Sequence, residues 1–239
     1  MVNKTKFCVI AQARSGSTLL RHALNAHPAI CCHGEVLSRQ WINGLVPIDN
    51  PTIDRSPKPV VERLLAARDD DIGHFLDKHV YAIDMPCVGF KIVYEDLFKS
   101  DASEQIFDYL HQNHIHIIHL VRLNKFRAYV SLVRMSKFGV THSDSHKESK
   151  DIHPIEIEEQ KFLAYKQRQG KYESDIDTLF SNQLVSKIHY EDIEAGYEIA
   201  LERIGLQPHQ MEQRLTKVGV VNLNEYILNY EKLVKFDTA

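Results

Sequence analysis

An apolar run at residues 7–11 passes through Gln12-Ala13-Arg14-Ser15-Gly16-Ser17-Thr18 into a helical pattern that lasts to Ala26, where His27-Pro28 breaks it. A strand that turns through small residues into a helix points several backbone N–H groups, and the helix N-terminus, at one spot. Such a spot suits a phosphate or a sulfate. Ser15, Ser17 and Thr18 add hydroxyl donors there, and Arg14 adds a fixed positive charge. The same residues also read as a helix start capped by Ser15 or Ser17 with Arg14 in solvent, but that reading leaves an arginine beside a glycine turn unexplained. They do not form a Walker A loop. With Gly16 as its second glycine, Ala11 stands in place of the first and Ser17 in place of the lysine, which disfavours ATP hydrolysis.

Three further runs, at residues 88–93, 115–121 and 184–190, carry the β-branched and aromatic residues of buried strands. Helical patterns separate them. Over residues 124–137, Phe126, Tyr129, Val130 and Val133 share one face, and Arg127, Ser131 and Arg134 share another. A second pattern covers residues 193–204, with Gly205 as its stop. Strands alternating with helices predict an α/β fold with a mainly parallel sheet, whose ligands bind beyond the carboxyl ends of the strands. Residues 47–59, with four prolines, and residues 139–154, polar and rich in Ser, His and Lys, read as loops, the second as a candidate lid. The run Arg68-Asp69-Asp70-Asp71 reads as a solvated helix end.

With 239 residues, the whole chain fits one α/β domain with one core. A net charge of -3 argues against nucleic acid as a partner, while leaving room for local basic clusters that bind a small anion. Cys31 and Cys32 lack zinc-type spacing and Cys8 lies in an apolar run, so reduced thiols are expected. The run at residues 7–11 is too short for a signal core or a membrane span, so a cytoplasmic address is expected.

Taken together, these segments resemble those of sulfotransferases that use 3'-phosphoadenosine 5'-phosphosulfate (PAPS), particularly the bacterial carbohydrate and tyrosyl-protein types. ARSGSTLLRHALNAHP resembles the 5'-phosphosulfate loop and its helix, HGEVL the segment with a catalytic glutamate, and GFKIVYEDL the next core strand. VRLNKFRAYVSLV, SKIHYEDIEAGYEIALERIGLQP and EYILNYEKL extend the likeness to about Leu233. The resemblance implies a P-loop-like three-layer fold with PAPS as donor, PAP as product and no metal. It assigns donor contacts to Arg14, Ser15, Gly16, Ser17, Thr18 and Leu19, the 3'-phosphate to Arg122 and Ser131, the adenine face to Tyr190, and catalysis to Glu35 with Arg14. Ser131 lies nine positions after Arg122, one more than the commonest family spacing, so Arg127 could share its role. The basic Arg-Lys-Gly loop of the cytosolic small-molecule enzymes is missing.

Read without the family, Glu35 is a solvated loop carboxylate and Tyr190 a core aromatic at a strand end. His33 is the next candidate base. Lys91, in an apolar strand, either snorkels to the sheet edge or helps to hold the sulfate. His111, His114, His116 and His119 invite a metal reading, but no acidic or cysteine partner is spaced to complete a site. Two other classes compete: a P-loop-like nucleotide-dependent phosphotransferase, and a non-catalytic PAP or PAPS binder that would have no use for Glu35. The favoured acceptor is a sugar or another small hydroxyl compound; a homodimer would suit the resemblance, although no segment marks an interface.

Overall fold

The computed structural model describes residues 4–39, 41–45, 59–139, 154–207, 209 and 222–237. In chain order its main elements are β1 (Thr5–Ala11), α1 (Ser17–Ala26), β2 (Ile30–Cys32), α2 (Pro59–Asp70) and α3 (Ile72–Phe75), which continues into a π-helical turn at Leu76–Val80. Next come β3 (Cys87–Val93), α4 (Tyr94–Phe98), α5 (Ser103–Gln112), β4 (His116–Val121), α6 (Lys125–Phe138) and α7 (Glu159–Leu179). The series closes with β5 (Val185–His189), α8 (Ile193–Arg203) and α9 (Tyr230–Leu233). The four predicted strands are all present. A fifth, the three-residue β2, lies in a segment the sequence did not mark as a strand. The proposed loops fall largely outside the described residues, at 47–58 and 140–153; Pro59 opens α2, and Gly139 ends α6 in the left-handed conformation.

The strands form one parallel sheet in the order β2-β3-β1-β4-β5. From Phe7 to Ala11, β1 is fully buried, because helices cover both faces of a central parallel strand and leave no side for polar residues. Cys8 and Ile10 face the core made with α3, α5 and α7, including Phe75, Ile106, Leu110 and Ile176. Phe7, Val9 and Ala11 face Leu20 and Leu24 of α1 and Tyr197 and Leu201 of α8. These are the three layers of the α/β fold expected from the sequence. A third cluster stands apart from the sheet and joins Phe126 and Val130 of α6, Phe162 and Tyr165 of α7, and Leu223, Ile227 and Leu233.

Register brings the chemistry to one edge. Ala11 pairs with both Val93 and Leu120, so β1, β3 and β4 end level and release their loops side by side. Cys32 pairs with Gly89, and the backbone continues past β2, with the Lys91 N–H donating to the Gly34 carbonyl at 3.1 Å. Among the described residues, no helix is long and apolar enough to cross a membrane.

Candidate active site

The turn after β1 has the backbone an anion loop needs. Arg14 (φ 66°) and Gly16 (φ 83°) both adopt the left-handed conformation, and a Cβ at Gly16 would overlap the Tyr190 ring, so glycine meets two requirements at that position. Gly16 is the N-cap of α1 and no side chain caps the helix, which removes the reading of Ser15 or Ser17 as caps. The amides of Ser17, Thr18 and Leu19 therefore begin the helix without a capping side chain. The Ser15 hydroxyl, expected to serve the anion, donates instead to the Gln12 carbonyl at 2.8 Å and closes the turn; only its backbone N–H is left for a ligand. Leu19 is 8% exposed, with its side chain in the core below, so it too can serve through its backbone alone.

Lys91 and Glu35 meet beside this turn. Lys91 Nζ lies 2.8 Å from Glu35 Oε1 and 3.3 Å from Thr18 Oγ1, so one ammonium links the carboxylate to the turn after β1. The Lys91 side chain is 7% exposed and that of Glu35 27%, which places the lysine inside and leaves the carboxylate reachable. Lys91 does not snorkel to the sheet edge: its ammonium is held inward by Glu35 and Thr18. A cation thus stands near the loop hydroxyls, although the loop itself has no lysine.

The segment after Glu35 is held from behind. Gly34 N–H donates to the Gly44 carbonyl and Asn43 N–H to the Glu35 carbonyl, while Asp96 Oδ1 accepts from the Arg39 N–H at 3.3 Å. Arg68 is not solvated as its acidic neighbours suggested. It is 6% exposed, and its Nη1 donates to the carbonyls of Ser38 at 2.6 Å and Trp41 at 3.2 Å, while Asp69 pairs with it at the end of α2.

On the other side of β1, Arg122 leaves the end of β4. Its Nη1 donates to the Arg14 carbonyl at 3.0 Å, and its guanidinium lies 4.5 Å from the centroid of the Tyr190 ring. Arg14 Nε donates to Ser131 Oγ at 3.0 Å. Burial first, then the Arg122 charge, lowers the Arg14 pKa; burial does the same to Arg122. Two neighbouring guanidiniums, one bonded to the Ser131 hydroxyl and the other to the Arg14 carbonyl, form a pair that an anion would stabilise. The structure thus assembles Arg14, Gly16, Arg122, Ser131 and Tyr190 in one place, from four separate segments.

Arg127, whose charge also acts on Arg122, is tied to the C-terminal segment. Its Nε and Nη2 donate to the two oxygens of Asp237, at 2.7 and 2.9 Å. Glu191, next to Tyr190, accepts from the N–H groups of Leu123 at 3.0 Å and Asn124 at 3.1 Å and so grips the start of α6. His33, the second candidate base, is fully buried, and its Nε2 lies 3.0 Å from the Val80 carbonyl; burial lowers its pKa to about 4. His116 pairs with Ser186, and His119 with the Tyr94 hydroxyl, so both are packed into the fold. Among the described residues no three His, Cys, Asp or Glu side chains gather as a metal site. The four cysteines are buried and unpaired.

Two buried glutamines escaped the sequence reading. Gln12 Nε2 donates to the Tyr165 hydroxyl at 3.3 Å, and Gln169 Nε2 to Glu95 Oε1 at 2.9 Å, so α7 is bonded to the ends of β1 and β3. For Gln169 the signal is the spacing of the buried positions Phe162, Tyr165, Gln169, Tyr172 and Ile176 at three and four residues.

No protein-family model matches the chain, and no curated protein matches it in sequence. A solved structure described as that of a sulfotransferase from Alicyclobacillus acidocaldarius is similar over 98% of this chain and 92% of its own, with a TM-score of 0.52 and 17% identity. At that identity the likeness is one of fold: this chain has the α/β architecture of that sulfotransferase.

Proposed function

We propose that the chain is a single-domain enzyme that binds PAPS at the end of β1 and transfers its sulfuryl group to an acceptor hydroxyl, with a sugar or another small hydroxyl compound as the acceptor. The observation that carries this reading is Lys91 bridging Glu35 and Thr18, which puts a reachable carboxylate two hydrogen-bond lengths from an anion loop. The residues suit a nucleotide with two anionic ends. The uncapped start of α1, with Arg14, would take the 5' end, while Arg122 and Ser131 would take a 3'-phosphate and Tyr190 the adenine.

Glu35 would accept the acceptor's proton as the new oxygen–sulfur bond forms. The bond between sulfur and the bridging phosphate oxygen breaks in line, and PAP leaves with its electron pair. The loop N–H groups, Arg14 and Lys91 would offset the negative charge that builds on that oxygen. Lys91 has a second task, which is to fix the orientation of Glu35 through their 2.8 Å ion pair. The non-catalytic binder is the weaker reading because it gives no reason for placing Glu35 and Lys91 beside the loop.

Glu35→Gln keeps the size of the side chain and removes its basicity. In an assay with radiolabelled PAPS and a panel of sugars and alcohols, transfer should fall by roughly 10²–10⁴-fold while PAP binding persists. A variant that transfers at the wild-type rate would overturn the assignment of Glu35.

A further inference from the structure

The helix that carries Ser131 takes its position from more than the sheet, to which its first residues are tied through Glu191. Phe126 and Val130, the large apolar residues on its buried face, pack in the third cluster with Leu223, Ile227 and Leu233. Polar bonds complete this attachment. Asp237, with a side chain 7% exposed, accepts from Arg127 Nε at 2.7 Å and Nη2 at 2.9 Å, from Asn124 Nδ2 at 3.0 Å and from the Tyr230 hydroxyl at 3.0 Å. Asn124 is the N-cap of α6, and its Oδ1 accepts from the Arg127 N–H at 2.9 Å. One carboxylate therefore fastens the cap and the first turn of α6, and Ser131 lies one turn beyond Arg127 on the same face.

We propose that residues 223–237 form a clasp that sets the position of α6, and that Asp237 is thereby a positioning residue for recognition of the 3'-phosphate. It touches no part of the proposed nucleotide site; it acts through Arg127 and the helix on Ser131, which receives the Arg14 hydrogen bond. Arg127 is held by the same contact, so the clasp also determines which guanidiniums face the ligand: Arg14 and Arg122 do, and Arg127 stays with Asp237. Burial alone would raise the Asp237 pKa, yet the bonds from Arg127, Asn124 and Tyr230 bring it below the ordinary value, consistent with a carboxylate tightly held.

This inference rests on the proposed donor, and the test separates the two. Calorimetry would measure the affinity of the full chain for PAP and for adenosine 5'-phosphate, which lacks the 3'-phosphate. Wild type should prefer PAP; equal affinities would remove the donor reading and the clasp with it. Given that preference, Asp237→Asn should weaken PAP at least tenfold and change adenosine 5'-phosphate less than twofold. Tyr230→Phe, a milder variant that removes one of the bonds to Asp237, should reduce the preference two- to fivefold with the melting temperature preserved. A preference unchanged in both variants, whether both nucleotides weaken together or neither does, would overturn the clasp. If Asp237→Asn fails to fold, Tyr230→Phe decides alone.

Discussion

Lys91 is the residue on which the proposed chemistry turns, because it lies inside the sheet with a charge that two partners satisfy. Its ammonium touches Glu35 and Thr18, and its side chain is 7% exposed, so the pair is screened less than a surface ion pair. Lys91→Met preserves the length of the stem and removes the charge. It should leave Glu35 without its orienting partner and lower kcat by about 10²-fold, the scale of a lost electrostatic contact at a transition state. KM for the acceptor should change far less. A variant with normal kcat would mean that Lys91 only fills space. The Glu35–Lys91 contact was beyond the sequence: the two are far apart in the chain, and what joins them is the pairing of β2 with β3. Glu35 itself stood out only through the resemblance of HGEVL, and Lys91 only as an anomaly in an apolar run.

At the scale of elements, close contact between β1 and β3 brings the loop and Lys91 together. Gly89 pairs with Phe7, and a Cβ there would overlap the Phe7 ring, which is fully buried and has no room to move. Gly89→Ala should therefore cost about 2 kcal/mol by overpacking and lower the melting temperature by about 4–8 °C. An unchanged melting temperature would show that the two strands can separate at no cost. The long apolar strands and amphipathic helices were legible because their periodicity follows directly from burial. Other features were not, and three of them show why. β2 has only three residues and follows a His-Pro break, so it presents no period to read. α7 buries Tyr165, Gln169 and Tyr172 among its contacts, and this polar content masks a 21-residue helix. Arg68 sits in an acidic run that resembles solvent-facing sequence, whereas its role is to hold two carbonyls of the segment after Glu35.

Across the whole molecule, three buried histidines tie stability to pH. Burial, the largest cause in each case, lowers the pKa of His33, His116 and His119 to about 4 from an ordinary 6.5. Since the folded value lies below the unfolded one, the unfolded chain binds more protons between those values. The stability these groups contribute is thus fully present above pH 6.5 and is lost as pH falls towards 4. For His33 alone the loss between pH 7 and pH 5 is about 2 kcal/mol. Urea unfolding should show a clearly lower midpoint at pH 5 than at pH 7, and equal midpoints would contradict neutral burial of these rings. The fold brings the turn after β1 and the end of β4 to one edge of the sheet, and we propose that together they hold PAP. The direct test is calorimetry of PAP binding without Mg²⁺, with ATP as competitor and Arg122→Ala as control. Tight binding that ATP does not displace, and that collapses in the variant, is the predicted result; preference for ATP with Mg²⁺ would contradict the account.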